Sequence, residues 1–159
     1  MSIEIVALPG HSPNHTGVLV DGVFFCADVV FPEAAIEKYR IPYLYGLTDH
    51  LDSLRVAEET TASQVVPGHG PHAESIDALA RLNRGAIDRT LETILTVLRV
   101  RSTSDGVCTA VFRAMNVPDL NAQGFFLLKP TINAYLAHLE RIGEARFEIV
   151  DYQPLWSLA

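Results

Sequence analysis

The sequence predicts an α+β fold, with strands gathered in its first half and helices in its second. Three observations carry that expectation. Short apolar runs closed by Pro-Gly or Asp-Gly occupy the chain up to residue 67, apolar residues recur at three- and four-residue steps from Ser75, and the last fifteen residues alternate apolar with polar side chains. With 159 residues and 48% hydrophobic side chains the chain has material for a real core, so disorder is not expected.

The elements follow in order. "IEIVAL" (3–8) reads as a buried strand stopped by the Pro9-Gly10 turn. "GVLV" and "VFFCA" are two more strands split by Asp21-Gly22, a strong hairpin signal between apolar runs. A loop containing the apolar stretch "IPYLYGL" leads to Thr48, the expected N-cap of a helix from about Asp49 to Glu59, and "SQVVPG" is a short buried strand. From Ser75, Ile76, Leu79, Ala80, Ile87, Leu91, Ile94, Leu95 and Leu98 keep helical spacing, with Gly85 a point of interruption or bending. "STSDG" ends this region and caps a second helix carrying Val107, Val111, Phe112 and Met115. "KPTINAYLAHLERIG" reads as a third, with Pro130 in its first turn and Gly143 at its stop. A β-hairpin turning near Asp151 to Pro154 closes the chain, and helix, helix, helix, hairpin is the order of a winged helix-turn-helix. The expected division is therefore 1–85 and 86–159.

Charge narrows the classes of function. A net charge of −7 argues against general binding of nucleic acid or anionic membrane, which repel an acidic protein at long range. Residues 1–85 hold 11 acidic and 5 basic side chains, and residues 86–159 hold 8 and 7. Cys26 and Cys108 form no CxxC pair, so neither a disulfide scaffold nor a cysteine zinc site is indicated, and a reducing cytoplasm is the expected setting. "MSIEIVALPG" lacks the basic and apolar regions of a targeting segment, and no apolar run is long enough to span a bilayer. The mean hydropathy of +0.19 is high for so small a chain, which points to a rich core or to a face that expects a partner.

The chemistry is concentrated in the first half. His11 follows one strand, Asp28 another and His69 a third, so in an α/β arrangement all three reach one sheet edge. Two imidazoles and a carboxylate suit Zn²⁺ or another borderline divalent ion. Taken singly, His69 in "PGHGP" is better read as a turn residue, and Asp28 could equally cap a turn. His15 is a candidate to orient the loop or a ligand, with simple exposure as the alternative. His50, His72 and His138 are assigned no role, His138 lying on an amphipathic helix and the other two bordering polar loops. Cys26 reads as a small buried hydrophobe.

Together, "GHSPNHTGVLVDGVFFCADVVF" (10–31) and "VVPGHGP" (65–71) resemble the later motifs of the metallo-β-lactamase-fold hydrolases. There a Gly-His-(Ser/Thr)-Pro-x-His segment, a (Gly/Ala)-Asp segment and a Pro-Gly-His-Gly segment supply metal ligands in that order. The resemblance implies that His11 is a terminal ligand of a first metal, Asp28 a bridging carboxylate and His69 a terminal ligand of a second, with zinc or another divalent ion as cofactor. It also implies the second half of an αββα sandwich over 1–85, followed by the winged-helix-like extension of some members. One departure is decisive: the His-x-His-x-Asp-His motif that supplies the remaining ligands is absent, and no two histidines are separated by a single residue.

The expected function is that of a fragment or truncated form of a metal-dependent hydrolase, in which metal-bound hydroxide attacks an ester, thioester, amide or phosphodiester. The isolated chain is expected to be inactive, because each metal would find too few ligands. Self-association as a dimer, or pairing with a missing N-terminal half, is expected to cover the exposed sheet face. The alternative is a non-catalytic module whose winged-helix tail binds protein or nucleic acid. Its third helix offers only Lys129 and Arg141 as cations, thin for phosphate binding.

Overall fold

A computed structural model describes residues 2–118 and 120–159. Strands β1 (Ile3–Ala7), β2 (Thr16–Val20), β3 (Val23–Ala27) and β4 (Gln64–Pro67) form one sheet in the order β1-β2-β3-β4. The first two pairings are antiparallel and β3 to β4 is parallel. β1, β3 and β4 therefore run in one direction and end at one edge. The Asp21-Gly22 dipeptide turns β2 into β3 with φ of 45° and 85° and sets Val20 opposite Val23, as the primed turn of a tight hairpin requires.

Helices α1 (Glu33–Tyr39), α2 (Leu47–Glu59) and α3 (Asp77–Val97) belong with this sheet. Alternation sends Val6, Phe24, Cys26 and Val65 into the core, while Phe25, next in sequence, stays 45% exposed. The expectation that 3–8 is a buried strand needs correcting. Within β1 only Val6 is buried, because the strand lies at the sheet's edge and its other face is uncovered.

Three further local expectations are revised. Residues 33–39, read as loop, are helical: Pro32 stands at the N-cap, Glu33 lies in the first turn, and burial of Ile36 anchors the short α1. α2 starts at Leu47 with Gly46 as N-cap, so Thr48 lies inside the helix and its hydroxyl bonds His138 Nδ1 at 2.8 Å instead of capping. Gly85 lies within α3, which runs on to Val97. The buried stripe of Ala80, Asn83, Ala86, Ile87, Thr90 and Ile94 outweighs the roughly 1 kcal/mol that glycine costs in a helix. The division expected at residue 85 falls inside this helix.

The remaining residues form β5 (Ser102–Thr103), α4 (Ser104–Ala114), α5 (Ala122–Arg141), β6 (Ala145–Val150) and β7 (Gln153–Leu158), with the three strands in the order β5-β7-β6. Thr103 caps α4 by accepting from Gly106 N at 3.1 Å, in the segment where the sequence placed a cap. α5 begins at Ala122, not near Lys129, and holds Pro130 in its interior. The earlier start is set by the Asn121 side chain, which accepts from Gly124 N at 2.8 Å, and by Phe125, whose ring packs edge-on against Phe112 at 6.3 Å. The closing hairpin turns on Asp151 and Tyr152, both at positive φ.

Candidate metal centre

The three strands that share a direction deliver the candidate ligands to one edge. After β1, Pro9-Gly10 is clamped onto the start of α2: Gly10 O accepts from Tyr45 N at 2.8 Å and Gly46 N at 2.9 Å, and the Ser53 hydroxyl donates to Pro9 O at 2.6 Å. Gly10 has φ of 130°, and a Cβ on it would sit 2.4 Å from the His50 backbone. Only glycine fits this approach, which presents His11 at the sheet edge. After β3, Asp28 is seated against the next loop in the same way. Gly68 N donates to Ala27 O at 2.9 Å, and a Cβ on Gly68 would fall 2.3 Å from Asp28 Oδ1. The glycine ahead of His69 thus makes room for the carboxylate.

Asp28 is the centre of the cluster. Its Oδ2 stands 3.5 Å from His11 Nε2 and its Oδ1 stands 3.5 Å from His69 Nε2. His11 and Asp28 are mostly buried, at 22% and 25% side-chain exposure, whereas His69 is open at 66%. Asp28 Oδ1 is shielded from solvent and has no hydrogen-bond partner among the described residues. A buried anionic oxygen in that condition is costly.

Hydrogen bonding determines the imidazole tautomers. His11 Nδ1 lies 3.4 Å from Tyr43 O, and since a carbonyl only accepts, Nδ1 carries the proton and Nε2 turns a lone pair toward Asp28. Burial lowers the pKa of His11, against the opposing pull of the Asp28 carboxylate, which favours the neutral ring. Its ring also packs edge-on against Tyr43 at 5.1 Å. His15 Nδ1 donates to Leu8 O at 3.0 Å and His15 Nε2 accepts from Asp28 N at 3.1 Å. His15 thereby ties the loop after β1 to the loop after β3.

A lone pair facing a carboxylate across 3.5 Å is the arrangement that a cation between them would stabilise. Two donors each about 2.1 Å from a tetrahedral ion lie roughly 3.4 Å apart, so the spacing suits a shared divalent ion. The donors fit such an ion in kind and spacing, and fall short in number. Each Asp28 oxygen meets one imidazole, and among the described residues no group of three or more His, Cys, Asp or Glu side chains is gathered closely enough to hold a metal by itself.

The other histidines are placed differently from one another. His138 bonds Thr48, away from the cluster. His50 does not border a polar loop as expected: it is fully buried in α2, and neither ring nitrogen has a hydrogen-bond partner among the described residues. Burial pushes its pKa down to about 3. Cys26 is buried as expected, and burial pushes its thiol up to about 12. Sequence reasoning missed the steric roles of Gly10 and Gly68, although the Gly-His pairs in both motifs were the available signal. An open concavity of about 550 Å³ between the end of α3 and the last residues of the chain shares no residue with the cluster.

The fold is that of about half a metallo-β-lactamase-superfamily protein. The chain is similar in structure to a β-lactamase domain protein from Burkholderia ambifaria, with a TM-score of 0.81 and 23% identity, over 99% of this chain and 48% of that one. It is similar also to a metallo-β-lactamase family protein from Thermus thermophilus, with a TM-score of 0.76 and 17% identity, over 99% of this chain and 49% of that one. The chain thus spans about half the length of the solved structures it matches. No family model matches the chain, and no curated protein does. No helix among the described residues is long and apolar enough to cross a membrane.

Proposed function

We propose that the chain is one half of a metal-dependent hydrolase of the metallo-β-lactamase superfamily, with His11, Asp28 and His69 as its share of a two-metal site. The observation that supports this reading is the pair of Asp28 oxygens, one facing each imidazole, with Oδ1 buried and unpartnered among the described residues. Zinc or another divalent pair, when bound, supplies Lewis acidity and lowers the pKa of water for attack on an ester, thioester, amide or phosphodiester. The chain's own residues hold and orient: Tyr43 O fixes the proton of His11 on Nδ1, His15 anchors the Asp28 backbone, and Gly68 leaves the space that Oδ1 occupies. Catalytic zinc normally has three protein ligands, so the chain alone has little or no activity on this reading.

The reading of the tail as a winged-helix-like module that binds nucleic acid has less support. Lys129, one of the two cations on α5, is paired with Asp105 at 2.6 Å.

Elemental analysis after zinc loading and chelator-free dialysis tests the proposal, with the wild-type chain compared with the His11→Ala, His69→Ala double variant. Zinc retained by the wild type above the level of the variant is expected, and at less than one ion per chain, because the donors of a single chain fall short in number. A wild-type chain that retains no more zinc than the variant would overturn it.

A further inference from the structure

The small sheet β5-β7-β6 ends in an unpaired strand. β6 bonds to β7 on one side and to no strand on the other, and Phe147 and Ile149 on it are 41% and 67% exposed. Such an edge presents a row of free N–H and C=O groups to which a further strand can bond. The hairpin sets the phase of that row. Its two-residue turn, Asp151-Tyr152, makes Val150 and Gln153 a hydrogen-bonded pair, and at the far end Ala159 N donates to Glu144 O at 3.2 Å. Even-numbered residues therefore spend their backbone groups on β7. Ala145, Phe147 and Ile149 turn theirs outward, where no backbone group of another segment meets them among the described residues.

We propose that β6 is an interface whose occupant is the β6 of a second copy of this chain, running antiparallel about a two-fold axis at Phe147. Charge selects both the occupant and the register. Among the described residues β6 is the only strand that carries side chains of both signs, Arg146 and Glu148, on one face. Centred on Phe147, the outward groups bond Phe147 to its own copy and Ala145 to Ile149 of the second copy. Arg146 of each copy then stands opposite Glu148 of the other. Both are non-hydrogen-bonded positions, where facing Cα atoms are only about 4.5 Å apart and side chains meet most closely. Moving the centre by one residue sets Arg146 against Arg146, or Glu148 against Glu148, and like charges directly opposite are destabilising. Arg101 already pairs with Glu148 and steadies it, while Arg146 has no ion-pair partner among the described residues. The β1 edge of the larger sheet carries Glu4 alone, so pairing it with itself joins no opposite charges.

The turn supports the same register. Tyr152 is fully exposed and holds φ of 62°, a left-handed conformation that glycine suits and a bulky residue adopts at a cost. About the Phe147 centre, Tyr152 of one copy comes level with Ile142 and Gly143 of the other, at the lip of the concavity between the end of α3 and the last residues. Ile142 is 50% exposed, and a Cβ on Gly143 would meet nothing within 4 Å, so the ring has an apolar neighbour and room. Backbone hydrogen bonds, an Arg146–Glu148 pair on each side of the axis and a tyrosine at each end hold the two copies, in place of a broad apolar footprint.

Sedimentation equilibrium of the metal-free full chain, from low to high micromolar concentration, tests this interface apart from the metal centre. The mass is expected to rise from one chain to two. Ile149→Pro removes one outward N–H and leaves the bonds to β7 in place, so it is expected to weaken association about 10-fold or more with an unchanged far-UV circular dichroism spectrum. Arg146→Glu and Glu148→Arg read the register. Each alone sets like charges opposite one another and is expected to weaken association about 10-fold or more. Mixed in equal amounts, the two variants face opposite charges at both positions and are expected to pair with each other as the wild type pairs with itself. A monomer at every concentration, a dimer that Ile149→Pro leaves intact, or a mixture that pairs no better than its components would overturn the proposal.

Discussion

His15 holds the geometry of the His11, Asp28 and His69 cluster together, since it joins Leu8 O to the Asp28 amide and its ring stands edge-on to His11 at 5.5 Å. His15→Ala leaves that amide without its partner, and the loss is expected to cost roughly 1–3 kcal/mol in urea unfolding. Zinc affinity is expected to fall about 10-fold or more, because the carboxylate is no longer held in place. His15→Gln, which keeps an acceptor, is expected to recover part of both. Equal zinc affinity in wild type and His15→Ala would show that the bond positions nothing. His50 is expected to make the fold sensitive to acid. Its folded pKa, about 3, lies below the ordinary 6.5, so on acidification the unfolded chain takes up this proton first. The contribution of His50 is complete above about pH 6.5 and is lost as pH falls toward 3, by on the order of 4–5 kcal/mol. His50→Leu, of similar bulk and without a titrating group, is expected to flatten the loss between about pH 7 and 5. A pH profile parallel to the wild type would assign the acid sensitivity elsewhere. The spacing of His11, Asp28 and His69 behind three strands was legible in the sequence. The burial of His50 was not, because it depends on Gly10 packing its backbone against the α2 backbone.

At the scale of elements, the readable features were one tight turn and the cap within residues 102–106, whereas Thr48, read as a cap, lies inside α2. Asp21-Gly22 and Thr103 act within four residues of themselves, so their signals survive without tertiary context. α5 shows where this stops. Pro130 was read as a helix start because its missing N–H and fixed φ suit the first turn. Instead the helix runs eight residues earlier, and Pro130 sits exposed in its interior with Leu128 and Ile132 buried on either side. Packing of Phe125 and Leu128 outweighs the proline's local cost. Pro130→Ala restores a helix hydrogen bond at an exposed site and is expected to raise unfolding stability by about 1–3 kcal/mol in urea titration. A stability lowered by this substitution would mean that the proline shapes the packing of α5. α1 was missed because seven residues with one buried side chain carry too little periodicity to detect.

For the whole molecule, one continuous core joins the sheet region to the tail. Phe24, Leu44, Ile94, Ile132 and Trp156 belong to a single cluster, and Leu44 N donates to Thr131 Oγ1 across the two expected segments. Trp156, the only tryptophan, donates to the Ser104 hydroxyl at 2.9 Å, so its fluorescence reports the tail. Unfolding followed by this fluorescence and by far-UV circular dichroism is expected to give coincident transitions. A separate, earlier fluorescence transition would divide the chain into two folding units. The sequence by itself determined the α+β class, the tight hairpin turn and the placing of His11, Asp28 and His69 after three strands, because each is written in local spacing and residue type. Only the tertiary structure decided that Asp28 offers a different oxygen to each imidazole, that two glycines make the room for this, and that one sheet face lies bare. Those outcomes depend on which strands become neighbours and what the helices cover, and side chains far apart in the chain settle both.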